Sequence, residues 1–289
     1  MAALAMDAAL GEPPAAVHPV VLMGRALDAL ERQAPRSERW RLWYGLGVAI
    51  GLPAVWAGLG WLLERCAPWP IQALALKATF SGRSLFDAAR RVEYALEADQ
   101  VDRARHELVW LVSRPTAELD RSLVASAAIE SLAENFVDSW LAPLLAYRVL
   151  GLGGAYAYRA ANTADAMWGY RTPRYESLGK AAARLDDVLN WLPARIAAVL
   201  LIVAGPRQSQ AFAMWQRDAH QTSSPNAGQT MAATAGLLNV RLEKPDHYIL
   251  HAEGRPPEAA DIAAARQLVL RAAILASFLV VAVRGMRRG

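Results

Sequence analysis

Leu42-Trp-Tyr-Gly-Leu-Gly-Val-Ala-Ile-Gly-Leu-Pro-Ala-Val-Trp-Ala-Gly-Leu-Gly-Trp-Leu-Leu63 is a run of 22 residues without a charge. At 1.5 Å per residue a helix of this length reaches about 33 Å, enough to cross a hydrocarbon core of about 30 Å. Trp40, Trp43 and Trp61 stand near its ends, where interfacial aromatics belong. A buried core helix is the competing explanation, and the rest of the chain argues against it. Hydrophobic residues make up 54% and charged residues 20%, too apolar for a typical soluble enzyme and too charged for a bundle of spans alone. Further candidate segments are 188–204, carrying Arg195, and 268–283, carrying Arg271. Segments 67–80 and 139–158 are weaker, being interrupted by Pro or Gly. Broken segments persist at membrane depth only when covered by protein or lining a wet cavity.

The expected fold is therefore all-α: a polytopic integral membrane helical bundle, one domain over 1–289, with amphipathic helices and long polar cytoplasmic loops. Arg32, Arg36, Arg39 and Arg41 precede the first span, and Arg284, Arg287 and Arg288 follow the last. By the positive-inside rule both termini are cytoplasmic, which implies an even number of crossings. Ser84 and Asp99 are expected helix caps, and Pro115 begins a long helix over 116–142 that Pro143 ends or kinks. Residues 205–229 are expected as a polar loop, and no strand alternation is apparent. The first residues lack the basic and apolar regions of a signal peptide. A single cysteine, Cys66, excludes a disulfide framework and a cysteine-based zinc site. The net charge of +4 is scattered, with no basic patch alternating with aromatics, so nucleic acid is not an expected partner.

Inside the apolar run 123–145 lies Glu130-Ser-Leu-Ala-Glu134-Asn135-Phe-Val-Asp138. Carboxylates at i, i+4 and i+8 stack on one helix face. Desolvated and mutually repelling, they need a metal, a cation or a proton. A second polar cluster holds Asn162-Thr-Ala-Asp165 and Arg184-Leu-Asp186-Asp187-Val-Leu-Asn190. Carboxylates with carboxamides are hard oxygen donors suited to Mg²⁺; capping and surface solvation would also explain them. Arg159, Arg184 and Arg195 have the planar fork that clamps phosphate or carboxylate, although each alone is equally a snorkelling or ion-paired residue. Gly11-Glu12-Pro13-Pro14 before His18 is either a Pro-rich entry loop or a turn presenting Glu12 and His18. Asp218-Ala-His220 and Ser223-Ser224-Pro225-Asn226-Ala-Gly228 form a loop able to cradle an anion, or an ordinary polar loop. No P-loop, nucleophile elbow or His-Glu-x-x-His motif is present.

In order along the chain, Gly11-Glu-Pro-Pro14, His18-Pro-Val20, Met23-Gly-Arg25, Ala127-Ala-Ile-Glu-Ser-Leu-Ala-Glu-Asn135 with Asp138, Tyr158-Arg159, Asn162-Thr163-Ala-Asp165, Ala183-Arg-Leu-Asp-Asp187 with Asn190, Pro193-Ala-Arg195, Asp218-Ala219 and Ser224-Pro-Asn-Ala-Gly228 resemble the CobD/CbiB family of cobalamin biosynthesis. Three places depart from the family pattern. Gly-Asp-Pro becomes Gly11-Glu12-Pro13, Gly-Arg-Asp-Thr becomes Ser113-Arg114-Pro115-Thr116, and a Gly-Gly following Leu242 becomes Glu243-Lys244. No catalytic role is assigned to the last two.

The resemblance implies an ATP- and Mg²⁺-dependent ligase. It would join a propionate carboxylate of adenosylcobyric acid, a corrinoid, to 1-amino-2-propanol or its phosphate, through an acyl phosphate. In that scheme Glu134, Asp138 and Asp186 or Asp187 hold Mg²⁺, and Arg159, Arg184 and Arg195 stabilise phosphate charge. Glu130 or His18 takes the amine proton. Asn135, Asn162, Asp165, Asn190, Asp218, Ser224 and Asn226 bind nucleotide or corrinoid. The expected setting is the inner cell membrane with the site facing the cytoplasm, the lipid bilayer a partner and other late cobalamin-pathway enzymes further ones. Two alternatives are an intramembrane Mg²⁺-dependent prenyl- or phospho-alcohol transferase and a transporter.

Overall fold

The computed structural model describes residues 2–285, leaving aside the side chains of Leu10 and of 281–285. Arg287 and Arg288, invoked above for orientation, lie outside the described residues. The chain is mostly helical and divides into two compact units. One is drawn from the residues up to Ser81 and from Ala142–Asn190; the other is drawn from Gly82–Leu141 and from Trp191 onward.

The first unit contains α1 (Ala2–Leu10), α2 (Pro19–Arg32), α3 (Glu38–Cys66), α4 (Trp69–Lys77), α8 (Ala142–Trp168) and the start of α9 (Lys180–Ala204). Its spine is α3 packed along α8. The two backbones nearly touch: a Cβ on Gly60 would stand 2.6 Å from the Leu152 carbonyl oxygen. Met23, Leu27, Leu52, Tyr156 and Trp168 fill the core beside this contact. The helix α8 is kinked at Gly151, whose φ of +70° is a conformation that side chains disfavour. The kink frees the Leu152 N–H, which donates to the Glu64 carboxylate at 3.0 Å. The expected segment 139–158 thus ends inside a bent helix. Segment 67–80 becomes α4, whose nine residues are too short to cross a bilayer.

In the second unit α7 (Arg121–Phe136) is buried on nearly every side from Val124 to Ala133, as befits a helix apolar all round. Around it pack α5 (Arg83–Glu97), α6 (Val101–Leu108), α11 (Ala227–Leu238) and α12 (Ala259–Gly285), with α10 (Gln208–Asp218) against α11. Arg266 on α12 pairs with Glu93 on α5 at 2.7 Å.

Several local expectations change. The N-cap of α5 is Gly82, one residue before the helix starts at Arg83, and not Ser84. Asp99 adopts a left-handed conformation and pairs with Arg121, leaving Gln100 as the cap of α6. The long helix begins at Arg121, where the Asp120 carboxylate accepts the Leu123 N–H at 2.8 Å. It passes through a π-turn, Val137–Leu141, into α8, and Pro143 sits in the first turn of α8, where its missing N–H costs little. The expected 205–229 loop contains α10. A small hairpin also forms, β1 (Leu242–Lys244) antiparallel to β2 (Tyr248–Leu250), where no strand was expected.

Among the described residues three helices are long and apolar enough to cross a membrane: Glu38–Cys66, Lys180–Ala204 and Ala259–Val280. Their outward faces carry large apolar side chains, among them Ile50, Val55, Leu59, Val188, Leu192, Val203, Leu270, Ile274 and Phe278. Surfaces of this kind mark contact with lipid or protein rather than water.

Candidate functional site

Glu130 is the centre of a polar cluster within the apolar surroundings of α7. Only 7% of its side chain is exposed. One carboxylate oxygen accepts from the Ser126 hydroxyl at 2.7 Å. The other accepts from the Arg114 guanidinium and from the Tyr248 hydroxyl, each at 3.0 Å. Ser126 in turn accepts the Glu243 backbone N–H at 2.7 Å, which fastens the hairpin to α7. Burial first, and then the charges of Glu130 and Glu134, push the Tyr248 phenol well above its usual range. Tyr248 therefore stays a donor.

The hairpin register explains which side chains join this cluster. Lys244 is paired directly with Tyr248, so both project from one face. On the same face Leu242 and Leu250 are fully buried. One turn beyond Glu130, Glu134 lines a 160 Å³ cavity with Arg114, Lys244 and Tyr248. Asn135 points elsewhere: its amide donates to the Ser131 carbonyl at 3.0 Å, and its oxygen accepts from Ser139. Asp138 lies in the π-turn, whose wider spacing rotates it off the strict Glu130–Glu134 stack. Such turns often sit at functional sites.

Elsewhere in this unit the structure brings Arg195, Asn226 and Ser224 together. Arg195 donates to the Trp191 carbonyl at 2.7 Å and to the Asn226 side chain at 3.2 Å, and lies over the Trp191 ring. Ser224 accepts the Asn226 and Ala227 backbone N–H groups, closing the start of α11. Asp218 stands apart. It accepts from Arg217, Gln221 and the His251 backbone N–H; burial pushes its carboxyl up, but the bonds from Arg217 and His251 outweigh that and hold it below the usual range. This carboxylate pins α10 to the segment following β2.

In the first unit Asp186 is buried between two carboxamides. Asn162 donates to one of its oxygens at 3.2 Å and Asn190 to the other at 2.9 Å. The Tyr158 hydroxyl donates to Asn190 and Arg159 donates to Asn162, so the network reaches from α8 to α9. Asp165 lies half-buried one turn beyond Asn162. Asp187 faces the other way, paired with exposed Arg184 at 3.6 Å. Both line a 270 Å³ cavity with Arg171, Lys180 and Tyr170. His18 caps α2: its Nδ1 accepts the Val20 N–H at 3.2 Å, so its Nε2 carries the proton shared with Glu12 at 3.0 Å. Buried Lys77 bridges Glu12 at 2.8 Å and Asp7 at 3.1 Å.

The family described as CobD/Cbib protein matches residues 1–275. The chain belongs to the CobD/CbiB family. A protein of Methanothrix thermoacetophila named probable cobalamin biosynthesis protein CobD is 39% identical, with 96% of this chain and 93% of that protein aligned. The cobalamin biosynthesis protein CobD of Chromobacterium violaceum is 43% identical over 88% and 84%, and that of Mycobacterium tuberculosis 39% over 96% and 92%. No solved structure matches.

Against the CobD/CbiB motifs, the structure adds residues to the Glu130 cluster that motif matching set aside. Arg114 and Lys244 come from the two segments that depart from the family pattern, and Tyr248 closes the hairpin. One signal was available: Leu242-x-Lys244 and Tyr248-x-Leu250 alternate about a Pro245-Asp-His turn. Among the described residues no group of three or more His, Cys, Asp or Glu is placed to hold a metal ion. Mg²⁺ usually takes one or two carboxylates and completes its shell with water and phosphate oxygens, so the donors present suit it without forming a cage. Of the residues expected to bind it, Glu134 and Asp138 belong to the second unit, and Asp186 and Asp187 to the first.

Proposed function

We propose that this chain is a cobalamin biosynthesis enzyme that forms an amide between a propionate carboxylate of adenosylcobyric acid and 1-amino-2-propanol or its phosphate, using ATP. The observation that carries this reading is the cavity beside α7, which places Glu134, Arg114 and Lys244 around a space lined by fixed donors. It occurs in a chain whose relatives, aligned over nearly their whole length, are named for cobalamin biosynthesis.

A carboxylate does not react with an amine until its oxygen is made a leaving group. ATP supplies that by phosphorylating it. The amine nitrogen then attacks the acyl carbon, the C–N bond forms, and the C–O bond to phosphate breaks. Glu134 holds the incoming ammonium and accepts its proton. Glu130, with three donors already on its oxygens, fixes Arg114 and Tyr248 in place. His18 has its one lone pair committed to capping α2, so the proton goes to Glu134 instead. Arg184, with Arg171 and Lys180 around the second cavity, carries phosphate charge, and Asp187 there would hold Mg²⁺ with phosphate oxygens. When bound, the metal neutralises charge on the transferring phosphoryl group.

The same reading places the protein in the inner membrane as a multi-pass bundle. Three clean spans and kinked, largely covered α8 make the even number that two cytoplasmic ends require. The direct test is mass spectrometry of the detergent-purified protein incubated with adenosylcobyric acid, ATP, Mg²⁺ and each amine. An ATP-dependent mass gain matching the amide, abolished by EDTA and recovered with excess Mg²⁺, supports the proposal. No product from either amine with folded protein overturns it and favours the diphosphate-using transferase.

A further inference from the structure

Leu192, Val199 and Val203 follow one another along the outward face of α9, and Arg195 falls among them at helical spacing. Beside that face lies a 320 Å³ groove, lined by Arg195, Ile196, Val199 and Leu200 of α9, Trp215 of α10 and Leu279 of α12. Its volume is just above the roughly 300 Å³ at which small-molecule sites begin. Two of its walls, α9 and α12, are among the three helices able to cross a membrane, so acyl chains reach the groove where those helices span. The Trp215 wall is fixed, because its indole N–H donates to Gln229 at 2.8 Å. Among the described residues Arg195 is the one charged member of the lining. Its Nη1 donates to the Trp191 carbonyl at 2.7 Å and to the Asn226 side-chain oxygen at 3.2 Å. Among the described residues no carboxylate pairs with it, and its Nε and Nη2 N–H groups find no acceptor. Snorkelling accounts for a guanidinium drawn back toward Trp191. It leaves unexplained an unpaired cation beside an apolar groove, where a counter-charge matters most.

We propose that this groove binds a phospholipid whose head group is net negative, with an acyl chain along Val199, Leu200 and Leu279 and the phosphate on the Nε and Nη2 edge of Arg195. That edge is a parallel pair of N–H donors, the fork that takes two oxygens of one phosphate. The bonds made by Nη1 hold the guanidinium in one orientation, so the fork is set before the lipid arrives. Both halves of the groove are used by such a molecule. A soluble anion matches the arginine but leaves the apolar wall uncovered, and a fatty chain without phosphate leaves the cation unpaired. A zwitterionic head brings its own ammonium, and the lining holds no carboxylate among the described residues to receive it. Selection therefore follows net head-group charge. The inference is independent of the amide-ligation reading and rests on α9 and α12 lying in the bilayer.

The test is native mass spectrometry of the full chain released from nanodiscs of phosphatidylglycerol and phosphatidylcholine in equal amounts. Wild type is expected to keep phosphatidylglycerol bound in preference to phosphatidylcholine. Arg195→Ala should lower that preference about 10-fold or more, the worth of one charged hydrogen bond, and Arg195→Lys should keep part of it as a point charge without the fork. Val199→Trp, at an exposed position, fills the groove while leaving Arg195 in place, and should lose the bound lipid. Circular dichroism in lipid-free detergent shows that each variant is folded, and Val199→Trp decides the matter where Arg195→Ala is not. Equal retention of the two lipids by wild type overturns the inference. So does an unchanged preference in folded Arg195→Ala or Val199→Trp. Displacement of the bound phosphatidylglycerol by ATP also overturns it, since a soluble phosphate would then be the partner of Arg195. None of these readings depends on turnover, so absence of amide product leaves this inference standing.

Discussion

Glu130 and Glu134 lie one turn apart on α7, yet their environments predict opposite phenotypes. Removing Glu130 strands three donors at once: the Ser126 hydroxyl, the Arg114 guanidinium and the Tyr248 hydroxyl. Each bond to a charged group is worth about 1.5–3 kcal/mol, and breaking a buried ion pair from one side costs about 3–5 kcal/mol in all. The Ser126 hydroxyl has an alternative acceptor in the Glu243 carbonyl at 3.4 Å, and Arg114 retains 15% exposure, so the lower part of that range applies. Glu130→Ala is therefore expected to lose about 3 kcal/mol. Glu134 is exposed, and Glu134→Gln should cost within about 0.5 kcal/mol while abolishing product. The assay is reversible denaturation of detergent-solubilised protein followed by far-UV circular dichroism, beside the mass-spectrometric turnover assay. Glu130→Leu combined with Arg114→Met should recover much of the lost stability, because a paired apolar replacement leaves no buried charge. A loss below about 1 kcal/mol for Glu130→Ala, or wild-type turnover by Glu134→Gln, would refute this division of roles.

The other predictions test the N-terminal cluster and the topology. Burial pushes the Glu12 carboxyl up, but hydrogen bonds from His18, Lys77 and Ser81 outweigh it and hold the group at about 2 against an ordinary 4.5. A depressed carboxylate contributes stability that is complete above pH 4.5 and lost as pH falls toward 2. The advantage of wild type over Glu12→Gln should therefore shrink by up to about 2 kcal/mol between pH 6 and pH 3, measured by denaturation at each pH; a constant difference refutes the assignment. His18→Asn keeps a capping oxygen and should retain most activity, whereas His18→Ala should lose about 1 kcal/mol of stability; an inactive, stable His18→Asn would restore the proton-acceptor role. Cys66, the single cysteine, is exposed at the end of α3, and with a cytoplasmic N-terminus it faces outward. An impermeant maleimide should label it in intact spheroplasts, and labelling only after permeabilisation would invert the topology.

What was legible in the sequence was whatever depends on short range. The charge-free run at 42–63 became most of α3, and the Asp186–Asn190 spacing became a hydrogen bond along one helix face. Capping chemistry failed where a residue had a better tertiary partner: Asp99 turned to Arg121 and left its helix to Gln100. The i, i+4, i+8 stack assumed an unbroken α-helix, and a π-turn at 137–141 breaks that register. No periodicity announces such a turn.

The composition of the Glu130 cluster shows why motif matching covered only part of the site. Of the side chains on α7, Ser126, one turn back, is the one seen to donate to Glu130, and the other donors arrive from elsewhere. Arg114 comes from the loop before the helix and Tyr248 from a hairpin 118 residues further along. Both are anchored by α7 itself, through Glu130 and through the Ser126 contact to the Glu243 backbone. That last contact uses a main-chain N–H, so it accepts any residue but proline at position 243. The hairpin can then change its side chains without losing its anchor.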